Sequence, residues 1–185
     1  MGNVTSQYVE AGLDRMASYW TKPKRILLLG LDGAGKTTLL YKMKLGNIEA
    51  ISTISLNVET IKYEKTEFTI WDFSGRQRQR PLWGFYSKNT DAVIYVIDSA
   101  DRGRIDEAVH ELHRVFDEDA LRDCKLLVLA NKQDQPDCMS VEELHEKLAL
   151  HRVIRNSTHI TRTVATSGQG IDEGMMWLSR AVTNK

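Results

Sequence analysis

The segment Gly30-Leu-Asp-Gly-Ala-Gly-Lys36-Thr37 decides the fold of this chain. It matches the pattern G-x-x-x-x-G-K-[ST] at every fixed position, and it lies between the apolar run Ile26–Leu29 and a stretch of helical periodicity near 36–46. A glycine-rich turn between a strand and a helix lets successive backbone N–H groups and the helix N-terminus bind phosphate. The segment therefore predicts a P-loop that binds a nucleoside triphosphate, without specifying the base.

Two polar side chains of this segment indicate a magnesium–nucleotide complex as the ligand. Lys36 can reach the β- and γ-phosphates, and the Thr37 hydroxyl can ligate Mg²⁺. The alternative is a glycine-rich turn that arose by chance, and the strand and helix on either side argue against it.

Apolar runs alternate with longer segments of helical periodicity along the chain. This alternation predicts an α/β P-loop NTPase fold with a six-stranded, mostly parallel sheet and helices on both faces. The polar residues 64–66 separate two of the strands and predict an antiparallel hairpin. The predicted strands are 26–29, 57–63, 68–72, 92–98, 125–130 and 159–164, and the predicted helices are 36–46, 102–117, 140–149 and 171–182.

The segment Asn131-Lys-Gln-Asp134 follows a predicted strand directly, at the carboxyl end where open α/β sheets bind ligands. The Asp134 carboxylate can accept hydrogen bonds from the N1–H and the 2-amino group of guanine, which adenine cannot supply. Asn131 and Lys132 would brace the pocket. A polar turn is the alternative interpretation of so short a motif, but its place after a buried strand and downstream of a P-loop favours a guanine site.

Two more segments end predicted strands. Asp72-Phe-Ser-Gly75 matches D-x-x-G, so Asp72 can hold Mg²⁺ through water and the Gly75 N–H can contact the γ-phosphate. Ala165-Thr-Ser-Gly168 would place a backbone N–H near the guanine oxygen. Small polar residues before a helix also serve as ordinary helix caps, so this last segment has two interpretations.

The composition argues against several other classes of protein. The 185 residues carry 25 basic and 25 acidic side chains, and this zero net charge disfavours a general nucleic-acid binder. The two cysteines, Cys124 and Cys138, form no C-x-x-C pair and indicate neither a disulfide framework nor a zinc site. No apolar run approaches the ~18 residues of a membrane span, and the N-terminus lacks the apolar core of a secretory signal. We therefore expect a protein that stays on the cytosolic side.

Taken together, these segments resemble the Arf and Arf-like family of small GTPases. The resemblance rests on GLDGAGKTT at Gly30–Thr38, T-I-x-x-N-V-E at Thr53–Glu59, W-D-x-x-G at Trp71–Gly75, R-P-L-W at Arg80–Trp83, V-I-D-S-A-D-R at Val96–Arg102, N-K-Q-D at Asn131–Asp134 and A-T-S-G-x-G at Ala165–Gly170. It implies GTP and GDP as ligands, ligation of Mg²⁺ by Thr53, and contacts of Trp71 and Tyr86 with effectors. It also implies a cycle between a membrane-bound GTP form and a soluble GDP form, aided by exchange factors and GTPase-activating proteins.

The N-terminus is predicted to be a membrane device. Met1-Gly2-Asn-Val-Thr-Ser6 fits M-G-x-x-x-[ST], which makes Gly2 a candidate for myristoylation. Residues 1–22 are predicted to form an amphipathic helix ahead of a GTPase domain at 23–185, and the alternative is a helix that only docks on that domain. A single myristoyl chain binds membranes weakly, so the helix would supply the second signal. Its apolar face comprises Val9, Leu13, Met16 and Trp20.

One position departs from the family pattern in a way that bears on catalysis. Arg76 stands directly after the D-x-x-G glycine, where the family has a glutamine that orients the attacking water. Arginine has no acceptor for a hydrogen bond from water, so we hypothesise slow GTP hydrolysis and a poor response to activating proteins. The less favoured alternative is that Arg76 stabilises the transition state as an internal arginine finger.

Four further substitutions lie in the two predicted switch loops. Ser52, Ser55 and Leu56 replace the proline, the glycine and the aromatic residue of the family's P-T-I-G-F, and Ser74 replaces a glycine. The loss of Pro and Gly changes the backbone freedom of the first loop. The loss of an aromatic residue predicts a changed set of effectors.

Three functions compete at this point. The first is a slowly hydrolysing GTP switch that regulates vesicle traffic on the cytosolic face of Golgi-like membranes. The second is a catalytically deficient GTP-binding adaptor that is controlled by exchange, lipid or abundance. The third is a P-loop kinase, which the N-K-Q-D motif and the lack of an evident Arg-rich lid disfavour. We expect a monomer that binds exchange factors, activating proteins, effectors and a membrane surface, but no nucleic acid.

The candidate site residues fall into four groups. The predicted nucleotide contacts are Gly30, Leu31, Asp32, Gly33, Ala34, Gly35, Lys36, Thr37, Thr38, Asp72, Phe73, Ser74, Gly75, Arg76, Asn131, Lys132, Gln133, Asp134 and Ala165. The predicted catalytic positions are Lys36, Thr53, Gly75 and Arg76. The predicted magnesium ligands are Thr37, Thr53 and, through water, Asp72, and the predicted lipidation site is Gly2.

Overall fold

Seven β-strands form one mixed sheet within residues 22–45, 49–51, 58–152 and 157–183, the residues that this computed structural model describes. The spatial order of the strands is β2-β3-β4-β1-β5-β6-β7, and β2 and β3 are the antiparallel members at one edge. The six predicted strands and the mostly parallel sheet are confirmed. The strands are β1 Lys24–Leu29, β2 Glu49–Ile51, β3 Val58–Tyr63, β4 Thr66–Asp72, β5 Ala92–Asp98, β6 Lys125–Asn131 and β7 Thr158–Arg162.

The seventh strand corrects the six-stranded prediction. β2 has three residues and pairs antiparallel with β3, from Glu49 opposite Lys62 to Ile51 opposite Thr60. A segment of three residues is too short to show the two-residue periodicity of a half-buried strand. The sequence pattern therefore carried no signal for it.

Four helices cover the sheet in the described part of the chain, at the places where helical periodicity predicted them. The second begins three residues later than predicted, because Arg102–Arg104 forms a separate 3₁₀ turn before it. The third begins after Ser140, whose hydroxyl accepts a hydrogen bond from the Glu143 N–H at 3.2 Å and caps the helix. The helices are α1 Lys36–Leu45, α2 Ile105–Phe116, α3 Val141–Leu148 and α4 Ile171–Thr183.

Alternating residues of the central strands build a separate core on each face of the sheet. In β1, Ile26 and Leu28 pack toward α1 and α4, whereas Leu27 and Leu29 pack toward α2 and α3. The prediction of helices on both faces is therefore confirmed. Among the described residues, no helix is long and apolar enough to cross a membrane.

A 3₁₀ helix over Arg80–Tyr86 connects β4 to β5, and the sequence patterns did not predict it. Pro81 occupies its first turn, where a missing N–H costs no hydrogen bond. The helix places Arg80 and Trp83 in the interior of the protein. Shorter 3₁₀ turns occur at Asp119–Leu121 and Leu150–Arg152.

Candidate nucleotide site

The predicted phosphate loop lies between β1 and α1, at the carboxyl edge of the sheet. Gly30 and Gly35 have positive φ angles of 138° and 96°. A Cβ at Gly30 would lie 2.2 Å from the Val96 carbonyl oxygen, and a Cβ at Gly35 would lie 2.3 Å from Asn131 Nδ2. Side chains are therefore excluded at both positions by backbone conformation and by close neighbours.

Lys36 is buried within the curve of this loop. Its Nζ donates hydrogen bonds to the carbonyl oxygens of Gly30 at 3.0 Å and Leu31 at 2.8 Å. Burial lowers the pKa of the Lys36 ammonium, although Asp72 and Asp32 act in the opposite direction. An ammonium held at this depth is placed to bind an anion in the loop, because a phosphate oxygen would replace the hydration that burial removes.

The side chains of Thr37 and Asp72 meet where a metal ion is expected. Thr37 Oγ1 donates to Asp72 Oδ2 at 2.9 Å. Burial raises the pKa of Asp72, and the hydrogen bond from Thr37 and the charge of Lys36 only partly oppose that rise. A hydroxyl and a partly buried carboxylate are oxygen ligands of the kind that Mg²⁺ prefers, so these two residues fit the ion. The residues described contain no group of three His, Cys, Asp or Glu side chains that could hold a metal on their own.

Asn131 joins three of the predicted segments. Its Nδ2 donates to the Ala34 carbonyl oxygen at 2.7 Å in the phosphate loop, and its Oδ1 accepts a hydrogen bond from the Ala165 N–H at 3.0 Å. Asn131 itself is buried at the carboxyl end of β6. Residues that are up to 131 positions apart in the chain are thus brought to one site, from the phosphate loop to the segment after β7.

The rest of the N-K-Q-D segment is held by its backbone and by one ion pair. Lys132 has a positive φ of 64°, and its Nζ lies 2.6 Å from Asp98 Oδ2 at the end of β5. The Gln133 N–H donates to the Thr163 carbonyl oxygen at 3.2 Å.

Asp134 is exposed, and its Oδ2 accepts a hydrogen bond from the neighbouring Gln135 at 3.1 Å. An exposed carboxylate on a fixed backbone can receive the two donors of a guanine edge.

The D-x-x-G segment lies directly on the phosphate loop. The Phe73 N–H continues the β1–β4 pairing by donating to the Leu28 carbonyl oxygen at 3.2 Å. The Gly75 carbonyl oxygen accepts a hydrogen bond from the Asp32 N–H at 3.2 Å. A Cβ at Gly75 would lie 2.2 Å from the Leu31 carbonyl carbon, so only glycine allows this approach. Arg76, the next residue, has an exposed side chain.

A cluster of charged side chains beside Asp32 was not among the predicted site residues. Arg80 contacts Asp32 at 3.2 Å and Glu107 at 2.8 Å, and Arg104 contacts Asp32 at 3.4 Å. Burial alone would raise the pKa of Asp32, but a backbone hydrogen bond and the two arginines lower it overall. Arg80 stands in the R-P-L-W motif, yet an arginine in the polar run 76–80 gives no sign that it is buried.

Two aromatic residues that the family resemblance assigns to effector contacts lie side by side. The ring centroids of Trp71 and Tyr86 are 5.9 Å apart, and Phe73 lies 4.8 Å from Tyr86. The Arg25 guanidinium lies 4.2 Å above the Trp71 ring, which is a cation–π contact. Leu82 and Phe85 are exposed on the 3₁₀ helix that also carries Tyr86.

Several predicted residues lie outside the part of the chain that is described. These are Gly2, the predicted N-terminal helix up to residue 21, Thr53 and the substituted loop positions Ser52, Ser55 and Leu56. Their predicted roles stay predictions.

Comparison with known proteins agrees with the site geometry. Residues 12–182 match the family model described as the ADP-ribosylation factor family, Arf. Among solved structures, the chain is similar to the Arl6 (BBS3) small GTPase from Trypanosoma brucei with the bound nucleotide analogue GppNp. The two are 28% identical, the match covers 88% of this chain and 98% of the other, and the TM-score is 0.78.

Proposed function

Because this chain belongs to the ADP-ribosylation factor family of GTP-binding switches, we propose that it acts as an Arf-type switch whose GTP form persists. Persistence is expected because Arg76 stands where the family's water-orienting glutamine is expected. Arg76 is the single observation that carries this proposal.

The surroundings of Arg76 support slow hydrolysis. Its backbone N–H donates to Ser74 Oγ at 3.3 Å, and its carbonyl oxygen accepts a hydrogen bond from the Gln79 N–H at 2.8 Å. Within the described residues its exposed guanidinium has no hydrogen-bond or ion-pair partner. A guanidinium offers five donors and no acceptor, so it cannot take a hydrogen bond from the attacking water. Water beside the γ-phosphate would then be poorly oriented.

The proposed division of labour follows the positions of the other site residues. Lys36 and the phosphate-loop amides would bind the phosphates, and Asp134 would select guanine. Thr37, Thr53 and, through water, Asp72 would hold Mg²⁺. When bound, that ion supplies positive charge to the β- and γ-phosphate oxygens.

We further propose that the GTP form recruits effectors to a membrane. Trp71, Tyr86 and the exposed Phe85 supply an aromatic surface next to the D-x-x-G segment. A myristoyl group on Gly2 and the predicted helix over residues 1–22 would supply the membrane contact. Exchange factors would load GTP, GTPase-activating proteins would act weakly, and vesicle traffic at Golgi-like membranes is the process that this arrangement would serve.

Single-turnover phosphate release from GTP-loaded protein tests the proposal. The wild-type chain is compared with Arg76→Gln, with Gln77→Ala to test whether the neighbouring glutamine substitutes, and with Lys36→Ala, which should fail to load. We expect little phosphate release from the wild type and a rate at least about 100-fold higher for Arg76→Gln, which is the low end of what one positioned catalytic group contributes.

The same assay separates the alternatives. If the wild type releases no phosphate even with an activating protein, the chain is a GTP-bound adaptor that is controlled by exchange or abundance. If the wild type is as fast as Arg76→Gln, slow hydrolysis is wrong. If Arg76→Gln is slower than the wild type, Arg76 acts as an internal arginine finger.

A further inference from the structure

Two buried side chains outside the predicted site hold the backbone of the D-x-x-G segment. Arg80 is 2% exposed and Trp83 is 1% exposed, although both belong to a short 3₁₀ helix. Trp83 Nε1 donates to the Ser74 carbonyl oxygen at 3.2 Å, and Arg80 Nε donates to the Gly75 carbonyl oxygen at 2.6 Å. These carbonyls belong to the two peptide units that meet at the Gly75 Cα, so both peptide planes are fixed.

The two bonds also fix the direction of the Gly75 amide. In a trans peptide the C=O and N–H groups point in opposite directions, so the bond from Trp83 to Ser74 turns the Gly75 N–H away from the indole. In the described part of the chain this N–H has no backbone acceptor. Gly75 lies against the phosphate loop, since its carbonyl oxygen accepts the Asp32 N–H. An unused donor is therefore held in place before any ligand binds.

The Arg80 guanidinium, which holds the Gly75 peptide, also forms ion pairs with three carboxylates. Its Nη2 lies 3.2 Å from Asp32 Oδ1 in the phosphate loop, and its Nη1 lies 2.8 Å from Glu107 Oε1 on α2. Glu111 Oε1 also lies near Arg80 Nη1, at 3.6 Å. Asp32 would repel a terminal phosphate, and the pairing with Arg80 reduces that repulsion. One buried guanidinium thus links the loop, the D-x-x-G segment and a helix.

We propose that Arg80 and Trp83 are positioning residues for the terminal phosphate, which set the preference of this chain for a nucleoside triphosphate over the diphosphate. The inference rests on the proposed function, since it assumes a guanine nucleotide on the phosphate loop. GDP lacks the phosphate that the Gly75 N–H would contact. If this amide is held less firmly, the affinity for GTP therefore falls and the affinity for GDP stays the same.

The test compares dissociation rates of radiolabelled GDP and of a radiolabelled, non-hydrolysable GTP analogue, with Mg²⁺ present. Trp83→Phe removes the indole donor and keeps an aromatic ring. Arg80→Lys keeps the positive charge. A single ammonium nitrogen cannot take the places of Nε, Nη1 and Nη2, so lysine cannot bind Gly75, Asp32 and Glu107 at the same time. We expect each variant to release the GTP analogue about tenfold faster than the wild type, the size of one charge-assisted hydrogen bond, and to release GDP within about twofold of it.

Matched controls separate this role from a general effect on folding. Trp177→Phe changes a tryptophan that stacks on His159, and Arg122→Lys changes an exposed ion pair with Asp119. Both should leave the two rates unchanged. An equal acceleration for both nucleotides in Arg80→Lys and Trp83→Phe, or no acceleration, overturns the inference, and Arg80→Lys decides alone if Trp83→Phe does not fold. A wild-type chain that binds neither nucleotide overturns the proposed function as well.

Discussion

The carboxylate of Asp72 is predicted to have opposite effects on the stability of the empty and the Mg²⁺-loaded protein. Burial raises its pKa above the ordinary value of 3.8, so the folded state favours the protonated form. A carboxyl whose folded pKa is raised contributes stability below its unfolded pKa and loses that contribution as the pH rises through the folded pKa. At neutral pH the ionised Asp72 therefore destabilises the empty protein, and a cation at Thr37 would reverse that effect.

We expect Asp72→Asn to raise the Tm of the nucleotide-free, metal-free protein at pH 7. The gain should be smaller when the pH is lowered to 4, because protonation removes the charge of the wild-type carboxylate as the pH falls through its raised pKa. With Mg²⁺ and GDP present the order should invert, because a neutral amide attracts the cation less. Thermal unfolding at both pH values checks this, and a lower Tm for the empty variant at pH 7 would contradict the account of Asp72.

Asp134 is predicted to select guanine, so substitution of Asp134 should change which base the protein prefers. Xanthine carries a carbonyl acceptor where guanine carries the 2-amino donor, so the amide of Asp134→Asn suits xanthine. We expect GTP affinity to fall at least 100-fold, the scale of two charge-assisted hydrogen bonds, while affinity for XTP rises. Equilibrium binding of GTP, XTP and ATP measures this. Asp137→Asn is the control because Asp137 is exposed in the same loop, and an unchanged GTP affinity in Asp134→Asn would remove Asp134 from the base site.

At the scale of elements, the parts that local sequence determines were predictable. The phosphate loop was, because its glycines, Lys36 and Thr37 are consecutive and lie between a strand and a helix. The role of Arg80 was not, because its acceptors lie at Gly75, Asp32 and Glu107, in two loops and one helix. The polar run around Arg80 has the composition of a surface loop, and only tertiary contacts bury it. β2 was missed because three residues show no periodicity.

Asn131 connects elements, so its loss should affect stability as well as binding. Asn131→Ala leaves the Ala34 carbonyl and the Ala165 N–H without their partner. We expect the free energy of unfolding to fall by about 2–4 kcal/mol, with weaker binding of GDP and GTP alike. Urea unfolding and nucleotide binding measure the two effects. The control Ser140→Ala removes the cap of α3 and should cost about 1 kcal/mol without changing nucleotide affinity. Equal losses in the two variants would deny Asn131 this connecting role.

At the scale of the whole molecule, the sequence predicted the succession of strands and helices along the chain. Burial of the strands between two layers of helices requires long apolar runs and helical periodicity, and both are visible in the sequence. The membrane device at the N-terminus rests on different information. A short motif and one apolar face predict it, and it lies outside the described residues.

We expect the myristoylated, GTP-loaded chain to sediment with vesicles that contain anionic lipid. Gly2→Ala should reduce the bound fraction by more than about tenfold, because the helix alone supplies one of two needed signals. Asn3→Ala changes a variable position of the same motif and should bind as the wild type does. Equal binding by all three proteins would mean that acylation at Gly2 does not anchor the chain.

The close approach of Gly35 to Asn131 constrains how this chain can diverge in evolution. A Cβ at position 35 would lie 2.3 Å from Asn131 Nδ2, so no other residue enters there while the asparagine stays. At Gly33 the nearest protein atom to an added Cβ is 3.7 Å away, on the flexible side chain of Arg104, so within the described residues the positive φ of 78° opposes replacement more than any close contact does. Descendants of this sequence should therefore vary at position 33 before they vary at position 35. Positions 35 and 131 should therefore be conserved or replaced together, although they lie 96 positions apart in the chain.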